Sequence, residues 1–235
     1  MTRPRLALIH SPLVGPMTWR ATAGALRSLG YPRVETPAAP AWDVEPPWYG
    51  ALAGRIAGEL DAGPWLLVGH SGAGGLLPTV AEALPGGATA MIFVDAVLPH
   101  PGKAWFETAP ADLSATLRER ATDGRAPAWP EWFPPSVLAK LLPDVGVRDA
   151  FSAEAEAIPV SYLAEPAPAA RVAPSIRCAY LQLSAGYEAE AAAAAAANCM
   201  VARLSLHHLG VLTDPDRVAG ALHSLIEALS VPSES

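Results

Sequence analysis

Cysteine and charge are both scarce in this sequence. Only two cysteines, Cys178 and Cys199, occur among 235 residues, so no disulfide framework is expected. Charged residues make up 17% of the chain, and the net charge is −7. Because no cluster of basic residues is present, the sequence indicates neither a nucleic-acid partner nor attachment to an anionic membrane surface.

Long hydrophobic runs are missing as well. The apolar stretch 6–9 is too short for the hydrophobic region of a signal peptide. The alanine-rich run 189–198 is too short to span a bilayer and contains Glu190. We therefore expect a protein without a membrane-spanning segment and predict a cytoplasmic location.

Motifs for cofactors and metals are also absent. No G-x-G-x-x-G motif follows the first predicted strand, so a dinucleotide site is not expected. His207 and His208 are adjacent and have no carboxylate or cysteine at coordinating offsets. We therefore expect neither a cofactor nor a metal ion.

Apolar residues, in contrast, make up 51% of the chain. That fraction in 235 residues allows one sizeable core, and we predict a single domain, 1–235. Short, continuously apolar runs alternate with helical patterns, which is typical of an α/β protein with a mostly parallel central sheet covered by helices on both faces. Strands are predicted at 5–9, 31–36, 65–68, 90–94, 176–183 and 200–206, and helices at 18–29, 49–60, 74–84, along the alanine run and from Pro215 onward.

One region interrupts this alternation. From about 100 to 172 no strand is evident, and helical patterns occur at 111–121, 135–142 and 147–157. Long insertions in compact folds are often lids over a functional site, and we predict a lid here; a set of peripheral helices would give the same pattern.

Residues 65–75 read WLLVGHSGAGG, a predicted strand, turn and helix. A serine at such a turn can be held at a strained backbone angle with its hydroxyl group exposed, provided that small residues flank it. Gly69, Gly72 and Ala73 are small. The pattern predicts that Ser71 is a nucleophile and that the backbone N–H of Gly72 faces the oxygen of a bound carbonyl. The alternative is a glycine-rich loop without chemistry.

Four stretches together resemble the α/β-hydrolase superfamily, in particular small lidded members of the plant-type esterase and hydroxynitrile-lyase group and their bacterial relatives. In chain order they are ALIHSPLVGPMTW, WLLVGHSGAGG, MIFVDAVLP and LHHLGVLTDPDRVA. The resemblance implies a largely parallel sheet, a helical lid inserted after MIFVDAVLP, and a nucleophile, an acid and a histidine in that order along the chain.

Ser71 requires a general base, and histidine suits that role near neutral pH. The resemblance places the catalytic histidine in the loop after the last strand, where His208 is favoured over its competitor His207. We assign His207 to the substrate pocket together with His70, directly before Ser71, and His100, at the lid entrance. His10 resembles the structural histidine that shapes the oxyanion loop.

The acid that orients this histidine has two candidates. The family commonly places an aspartate after the strand IRCAYLQLS, where this chain has only Glu188 and Glu190. Some members take the acid from the strand that is here MIFVD, which ends at Asp95. Glu188 and Asp95 therefore both remain candidates.

The loop after the first strand departs from the family pattern. The second N–H of the oxyanion hole would come from Pro12, which has no N–H. Leu13, after a local shift, or the Ser11 hydroxyl group could donate instead. Loss of one donor slows hydrolysis about 10²- to 10³-fold. A non-hydrolytic lyase, isomerase or cyclase, in which Ser71 and His208 transfer protons or position the substrate, is therefore the alternative function.

Large aromatic residues are concentrated in the predicted lid. They favour a small-molecule substrate that is apolar or aromatic, although aromatic residues also attach a lid to its body. The sequence predicts a serine hydrolase of the esterase, thioesterase or lactonase type that acts on a small hydrophobic or aromatic acyl group. The pocket candidates of the lid are Trp105, Trp129 and Trp132.

Overall fold

The computed structural model describes residues 3–38, 42–170 and 176–230. Its strands are β1 (Leu6–Ile9), β2 (Val34–Glu35), β3 (Trp65–His70), β4 (Ala88–Val94), β5 (Arg125–Ala126), β6 (Ile158–Pro159), β7 (Arg177–Gln182) and β8 (Met200–Arg203). Its α-helices are α1 (Met17–Ser28), α2 (Trp48–Gly58), α3 (Leu77–Ala83), α4 (Trp105–Thr108), α5 (Ala111–Glu119), α6 (Pro135–Leu141), α7 (Val145–Ala153), α8 (Val160–Ala164), α9 (Glu188–Ala196), α10 (Gly210–Thr213) and α11 (Pro215–Ser230).

Six strands form one sheet in the order β2-β1-β3-β4-β7-β8, and every neighbouring pair is parallel. Successive side chains of a strand enter different cores. Ala7 and Ile9 pack in the core that contains α2, α3 and α9, whereas Leu6 and Leu8 pack in the core that contains α1 and α11. Because both faces are buried, the strands are apolar throughout. The predicted α/β class with a mostly parallel sheet is confirmed.

This topology also determines where a site can form. Parallel strands all end at the same edge of the sheet, and ligands of open α/β sheets bind in the crevice there. The ends of β3, β4 and β7 lie next to one another, because His70 pairs with Val94 and Val94 pairs with Leu181. The residues that follow these strands are therefore brought together.

Two element boundaries differ from the prediction for local reasons. The helix predicted at 74–84 is preceded by a 3-10 turn, Ser71–Gly75, because Pro78 lies in the first turn of α3 and favours a new helix start there. Strand β2 begins at Val34 rather than at Tyr31, since the backbone N–H of Tyr31 donates to Leu26 in the turn that ends α1.

The segment between β4 and β7, which we call the insertion (98–170), contains α4 to α8. The predicted helices are present, but the prediction that the segment lacks strands is wrong. Strands β5 and β6 pair antiparallel, with Arg125 opposite Pro159 and Ala126 opposite Ile158. Each strand has two residues, which is too short for an alternating pattern to reveal.

Two glutamates attach the insertion to the body of the domain. The carboxylate of Glu154 accepts a hydrogen bond of 2.7 Å from the backbone N–H of Met17, at the start of α1. That of Glu165 accepts bonds of 2.8 and 3.0 Å from the backbone N–H groups of Trp48 and Tyr49, at the start of α2. Both helices follow a proline, whose side chain cannot cap them. The glutamates therefore satisfy free N–H groups at the positive ends of two helix dipoles.

The two cysteines form a disulfide bond, contrary to the expectation from their number. Cys178 and Cys199 directly precede the paired residues Ala179 and Met200, so the bond joins the neighbouring strands β7 and β8. Disulfide bonds persist mainly in oxidising compartments. The cysteines therefore no longer support the prediction of a cytoplasmic location, which stays untested. Among the described residues, no helix is both long and apolar enough to cross a bilayer.

We expect the Cys178→Ser, Cys199→Ser double variant to be about 3 kcal/mol less stable than the oxidised wild type, because the bond closes a loop of 21 residues in the unfolded chain. Urea unfolding followed by circular dichroism measures this difference. Wild-type protein kept in a reductant should behave like the variant. Equal unfolding midpoints for oxidised protein and variant would contradict the stabilising role of the bond.

Candidate active site

Ser71 is the first residue after β3 and has a backbone φ of 57°. This left-handed conformation is uncommon for a residue other than glycine, and it is found preferentially at functional sites. The carbonyl oxygen of Ser71 accepts a hydrogen bond of 3.1 Å from the N–H of Val97, which anchors the turn to the loop after β4. The local geometry is a sharp strand-to-helix elbow.

The residues after the serine must be small because other backbone segments come close. A Cβ atom on Gly74 would lie 2.0 Å from the carbonyl oxygen of Val97, and one on Gly72 would lie 2.7 Å from the Ser11 hydroxyl oxygen. Ala73 is completely buried. The packing therefore accommodates an alanine at position 73.

The Ser71 side chain belongs to a hydrogen-bonded relay. Its Oγ lies 3.0 Å from Nε2 of His208, and Nδ1 of His208 lies 2.9 Å from Oδ2 of Asp95. An ionised carboxylate only accepts hydrogen bonds, so Nδ1 carries the proton and Nε2 accepts from the serine hydroxyl group. His208 is thereby held in the tautomer that a general base requires.

Asp95 is fully buried and is held by the chain that follows β7. Its Oδ1 accepts from the backbone N–H groups of Leu183 (2.8 Å) and Ser184 (3.0 Å), and its Oδ2 accepts from the Ser184 hydroxyl group (2.6 Å). Burial raises the pKa of Asp95, but the hydrogen bonds from His208 and Ser184 outweigh this effect and lower the pKa below its ordinary value. The carboxylate therefore stays ionised at neutral pH.

Glu188, the other candidate for the acid, is placed elsewhere. Its carboxylate accepts a hydrogen bond of 3.0 Å from the side-chain amide of Gln182 and lies 4.0 Å from Arg203. The side chain is 68% exposed. The prediction that Glu188 could complete the triad is wrong in geometry, because the helix start turns the side chain toward the edge of the sheet and Asp95 already occupies Nδ1 of His208.

His70, predicted as a pocket residue, lines a small cavity together with Ser71 and His208, and it also supports His208. Its Nε2–H donates a hydrogen bond of 2.9 Å to the backbone carbonyl of His208, and the two ring centroids are 4.6 Å apart. Burial, reinforced by the charge of His208, lowers the pKa of His70 to about 3. His70 is therefore neutral and positions the loop that carries His208.

His100 and His207 lie outside the cavity next to Ser71, contrary to prediction. Nε2 of His100 lies within hydrogen-bond distance, 3.3 Å, of the Tyr49 hydroxyl oxygen. The ring borders a separate cavity of about 450 Å³. Nδ1 of His207 accepts a bond of 3.2 Å from the N–H of Leu209, which folds the ring back onto its own loop. Of these two adjacent histidines, only His208 faces Ser71.

The loop after β1 is arranged around Ser11. The hydroxyl oxygen of Ser11 accepts a bond of 3.2 Å from the N–H of Leu13, and His10 donates from Nδ1 to the carbonyl oxygen of Ser11 at 2.8 Å. Burial lowers the pKa of His10, which is consistent with a neutral structural histidine. Ser11 itself is buried. Of the residues predicted around the oxyanion hole, Leu13 and Gly72 line the large cavity beside Ser71, and Ser11 lines a much smaller one that also contains Ser71 and His208. Pro12 lines neither cavity.

A cavity of about 670 Å³ opens above Ser71. Ser71 and His208 form its floor, and the insertion supplies most of its wall. The three predicted tryptophans all line it. The lining residues of the insertion are mostly apolar: Trp105, Ala109, Pro110, Leu113, Trp129, Trp132, Phe133, Val137 and Leu141, with Thr108.

Tyr187 is a site residue that the sequence reasoning missed. Its ring stacks on that of His208, with centroids 5.0 Å apart and planes inclined by 5°. Burial raises the pKa of Tyr187 to about 12, although a hydrogen bond with Ser71 opposes the rise. The phenol is therefore neutral at physiological pH, and its hydroxyl group is bonded to Ser71. Nothing in the stretch SAGYEAEA marks this tyrosine, because its contact with His208 joins two separate loops.

We expect Tyr187→Ala to lower kcat/KM about 2- to 10-fold, because an aromatic contact of this kind contributes about 0.5–1.5 kcal/mol. Tyr187→Phe retains the stacking and isolates the effect of the hydroxyl group. Steady-state kinetics on an ester substrate measures both variants, and thermal unfolding shows that they are folded. Wild-type kcat/KM in Tyr187→Ala would contradict a role in holding His208.

The sheet order, the elbow and the insertion define the α/β-hydrolase fold, and the comparison with solved structures confirms it. An extracellular α/β-hydrolase from a Paenibacillus species, described as sharing structural and functional homology with tobacco salicylic acid binding protein 2, superposes with a TM-score of 0.77 at 20% identity and covers 94% of this chain and 98% of its own. A pyrethroid hydrolase from Sphingobium faniae JZ-2 gives 0.72 at 20% identity, covering 97% and 98%. Tomato methylketone synthase I, in complex with β-ketoheptanoate, gives 0.67 at 13% identity, covering 98% and 100%.

These likenesses concern the fold, since all three identities are low. No family sequence model matches the chain, and no curated protein sequence matches it. In the described part of the chain, no three His, Cys, Asp or Glu side chains are grouped so that they could hold a metal ion.

Proposed function

We propose that this protein is a serine hydrolase that cleaves an ester, a thioester or a lactone of a small hydrophobic or aromatic acid. The observation that carries the proposal is the continuous relay from Ser71 through His208 to Asp95, at hydrogen-bond distances of 3.0 and 2.9 Å. Such a relay activates a hydroxyl group that is otherwise a weak nucleophile at neutral pH.

In the proposed reaction, Oγ of Ser71 attacks the carbonyl carbon while its proton passes to Nε2 of His208. The tetrahedral intermediate places its negative oxygen at the N–H of Gly72. It collapses to an acyl-enzyme as His208 returns the proton to the leaving oxygen or sulfur. A water molecule, deprotonated by His208, then releases the acid and restores the Ser71 hydroxyl group. Asp95 stabilises the transient imidazolium throughout.

The size and the lining of the cavity support the proposal that the acyl group is apolar or aromatic. A volume of about 670 Å³ is within the range of small-molecule sites, and tryptophans that line such a cavity favour flat or apolar ligands. We propose that the insertion acts as the lid over this site. The solved neighbours that are named hydrolases support the reaction type.

The test of this proposal is the hydrolysis of 4-nitrophenyl esters that differ only in their acid. We expect kcat/KM to rise from acetate to butanoate to 3-phenylpropanoate, because each step buries more apolar surface against the insertion. The visible absorbance of the liberated nitrophenolate measures the rate, and Ser71→Ala is the background control. Equal rates for wild type and Ser71→Ala with all three esters would overturn the proposal.

A non-hydrolytic lyase, isomerase or cyclase is the second candidate, and one observation favours it. Pro12 has no N–H, and the N–H of Leu13 already donates to the Ser11 hydroxyl oxygen. Of the predicted backbone donors to the oxyanion, Gly72 is therefore the one that remains free. One solved neighbour is named as a synthase rather than a hydrolase. Turnover of a substrate without any acyl-enzyme would favour this alternative.

A further inference from the structure

Glu190 places a carboxylate in the wall of the cavity next to Ser71, where the relay does not use it. Its Oε2 is shielded from solvent and has no hydrogen-bond partner among the described residues. Buried carboxylate oxygens are normally paired, because an unpaired one loses its hydration without compensation. Because the Glu190 side chain itself lines the cavity, a small rotation of its carboxylate would present this covered, unpaired oxygen to a ligand.

Other polar groups around the cavity are already engaged within the protein. Ser71 bonds to His208, the Ser184 hydroxyl group donates to Asp95, and that of Thr108 donates to the carbonyl oxygen of Trp105 at 2.9 Å. The indole N–H of Trp132 donates to the carbonyl oxygen of Pro127 at 2.8 Å. These groups therefore do not supply a donor to Glu190.

Glu190 cannot serve as the acid of the relay, because Asp95 already accepts from Nδ1 of His208. It lies in the first turn of α9, three residues after Tyr187, and positions three apart share one face of a helix. Tyr187 stacks on His208. Glu190 is thus close to the reacting groups in the fold and remains free to contact a substrate.

We propose that Glu190 is a specificity residue that accepts a hydrogen bond from a donor group on the substrate, a hydroxyl group or a protonated amine. This inference rests on the proposed hydrolase function and narrows its substrate class. The acyl group is then not a plain hydrocarbon: it combines an apolar body, in contact with the tryptophans, with one polar donor. A site with a buried acceptor discriminates against an analogue that lacks the donor, since the acceptor is left unpaired.

The experiment compares 4-nitrophenyl esters of 3-phenylpropanoic acid that carry hydrogen, hydroxyl or aminomethyl at the meta or para position of the ring. We expect kcat/KM of the wild type to be about 10- to 100-fold higher for at least one donor-bearing ester than for the parent ester. Glu190→Leu should abolish this preference. Glu190→Gln keeps an acceptor without charge, so it should retain a preference for hydroxyl and lose one for aminomethyl.

Glu188→Gln is the matched control, because Glu188 lies in the same turn of α9. Its carboxylate contacts Gln182 and does not line the cavity. The substrate preference should be unchanged in this variant. The inference is wrong if the wild type prefers none of the donor-bearing esters, or if Glu190→Leu keeps the preference.

A binding measurement separates this inference from the proposed function. The N-methyl amides of the same acids, titrated into the Ser71→Ala protein, should quench the fluorescence of the cavity tryptophans. If a donor-bearing amide binds more tightly than the parent amide, and this difference is lost in the Ser71→Ala, Glu190→Leu protein, the role of Glu190 is supported even if no ester is hydrolysed. Equal affinities for all amides would overturn it even if esters are hydrolysed.

Discussion

The Ser71→Ala variant is expected to hydrolyse esters about 10⁶-fold more slowly in kcat than the wild type, because it removes the atom that attacks the carbonyl carbon. His208→Ala should cost nearly as much, since Ser71 then has no base within hydrogen-bond distance. The double variant should be hardly slower than either single variant, because the two side chains act as one unit.

Steady-state rates of purified variants measure this effect. A mock purification that lacks the protein gives the background rate from contaminating esterases. Ser71→Ala keeps a non-glycine residue at φ 57°, and alanine has no hydroxyl group to stabilise the turn. Circular dichroism is therefore needed to show that each variant is folded. Additive losses in the double variant would mean that Ser71 and His208 act in separate steps.

Asp95→Asn should lower kcat about 10⁴-fold while the fold is retained. The amide group cannot stabilise an imidazolium, and its NH₂ favours the tautomer in which Nδ1 of His208 is the acceptor. Nε2 would then carry the proton and could not take one from Ser71. Glu188→Gln should leave kcat unchanged, because that carboxylate contacts Gln182 and not His208. The opposite ranking of these two variants would contradict the placement of the acid.

The same substitution has a pH-dependent effect on stability. The folded-state pKa of Asp95 is lowered, so its contribution to stability is present above the unfolded-state pKa of about 3.9 and is lost as the pH falls through the folded-state value. The difference in unfolding free energy between wild type and Asp95→Asn should therefore be constant from about pH 5 upward and shrink below about pH 4. Urea unfolding across this range measures it.

The sequence was sufficient for the features that depend on neighbouring residues. Continuously apolar runs identified the buried parallel strands, and the small residues around Ser71 identified the elbow. The position of His208 after the last strand of the sheet followed from the resemblance. In each case the signal lies within a few residues of chain, which is the range over which sequence patterns are informative.

The features that were missed depend on how distant segments meet. The bond between Cys178 and Cys199 requires the register of β7 and β8. The choice of Asp95 over Glu188 requires the chain after β7 to turn its N–H groups toward Asp95. Tyr187 became part of the site because its ring stacks on His208, a contact between residues on two different loops. No local pattern encodes these contacts.

The predicted pocket histidines show the same limit. His100 and His207 were assigned by their distance along the chain from site residues, yet each folds onto a different partner, the Tyr49 hydroxyl group and the Leu209 N–H. The tryptophans were placed correctly because the whole wall of the insertion is aromatic and apolar, so several lining residues share that character.

Intact-mass labelling with a fluorophosphonate shows whether Ser71 is an activated nucleophile. Such a reagent forms a phosphonyl ester with a serine that a neighbouring base deprotonates, and it releases fluoride. We predict one adduct on the wild type, none on folded Ser71→Ala, and at most slow labelling of His208→Ala. An unlabelled wild type that is folded, or an adduct that persists in Ser71→Ala, would contradict this role of Ser71.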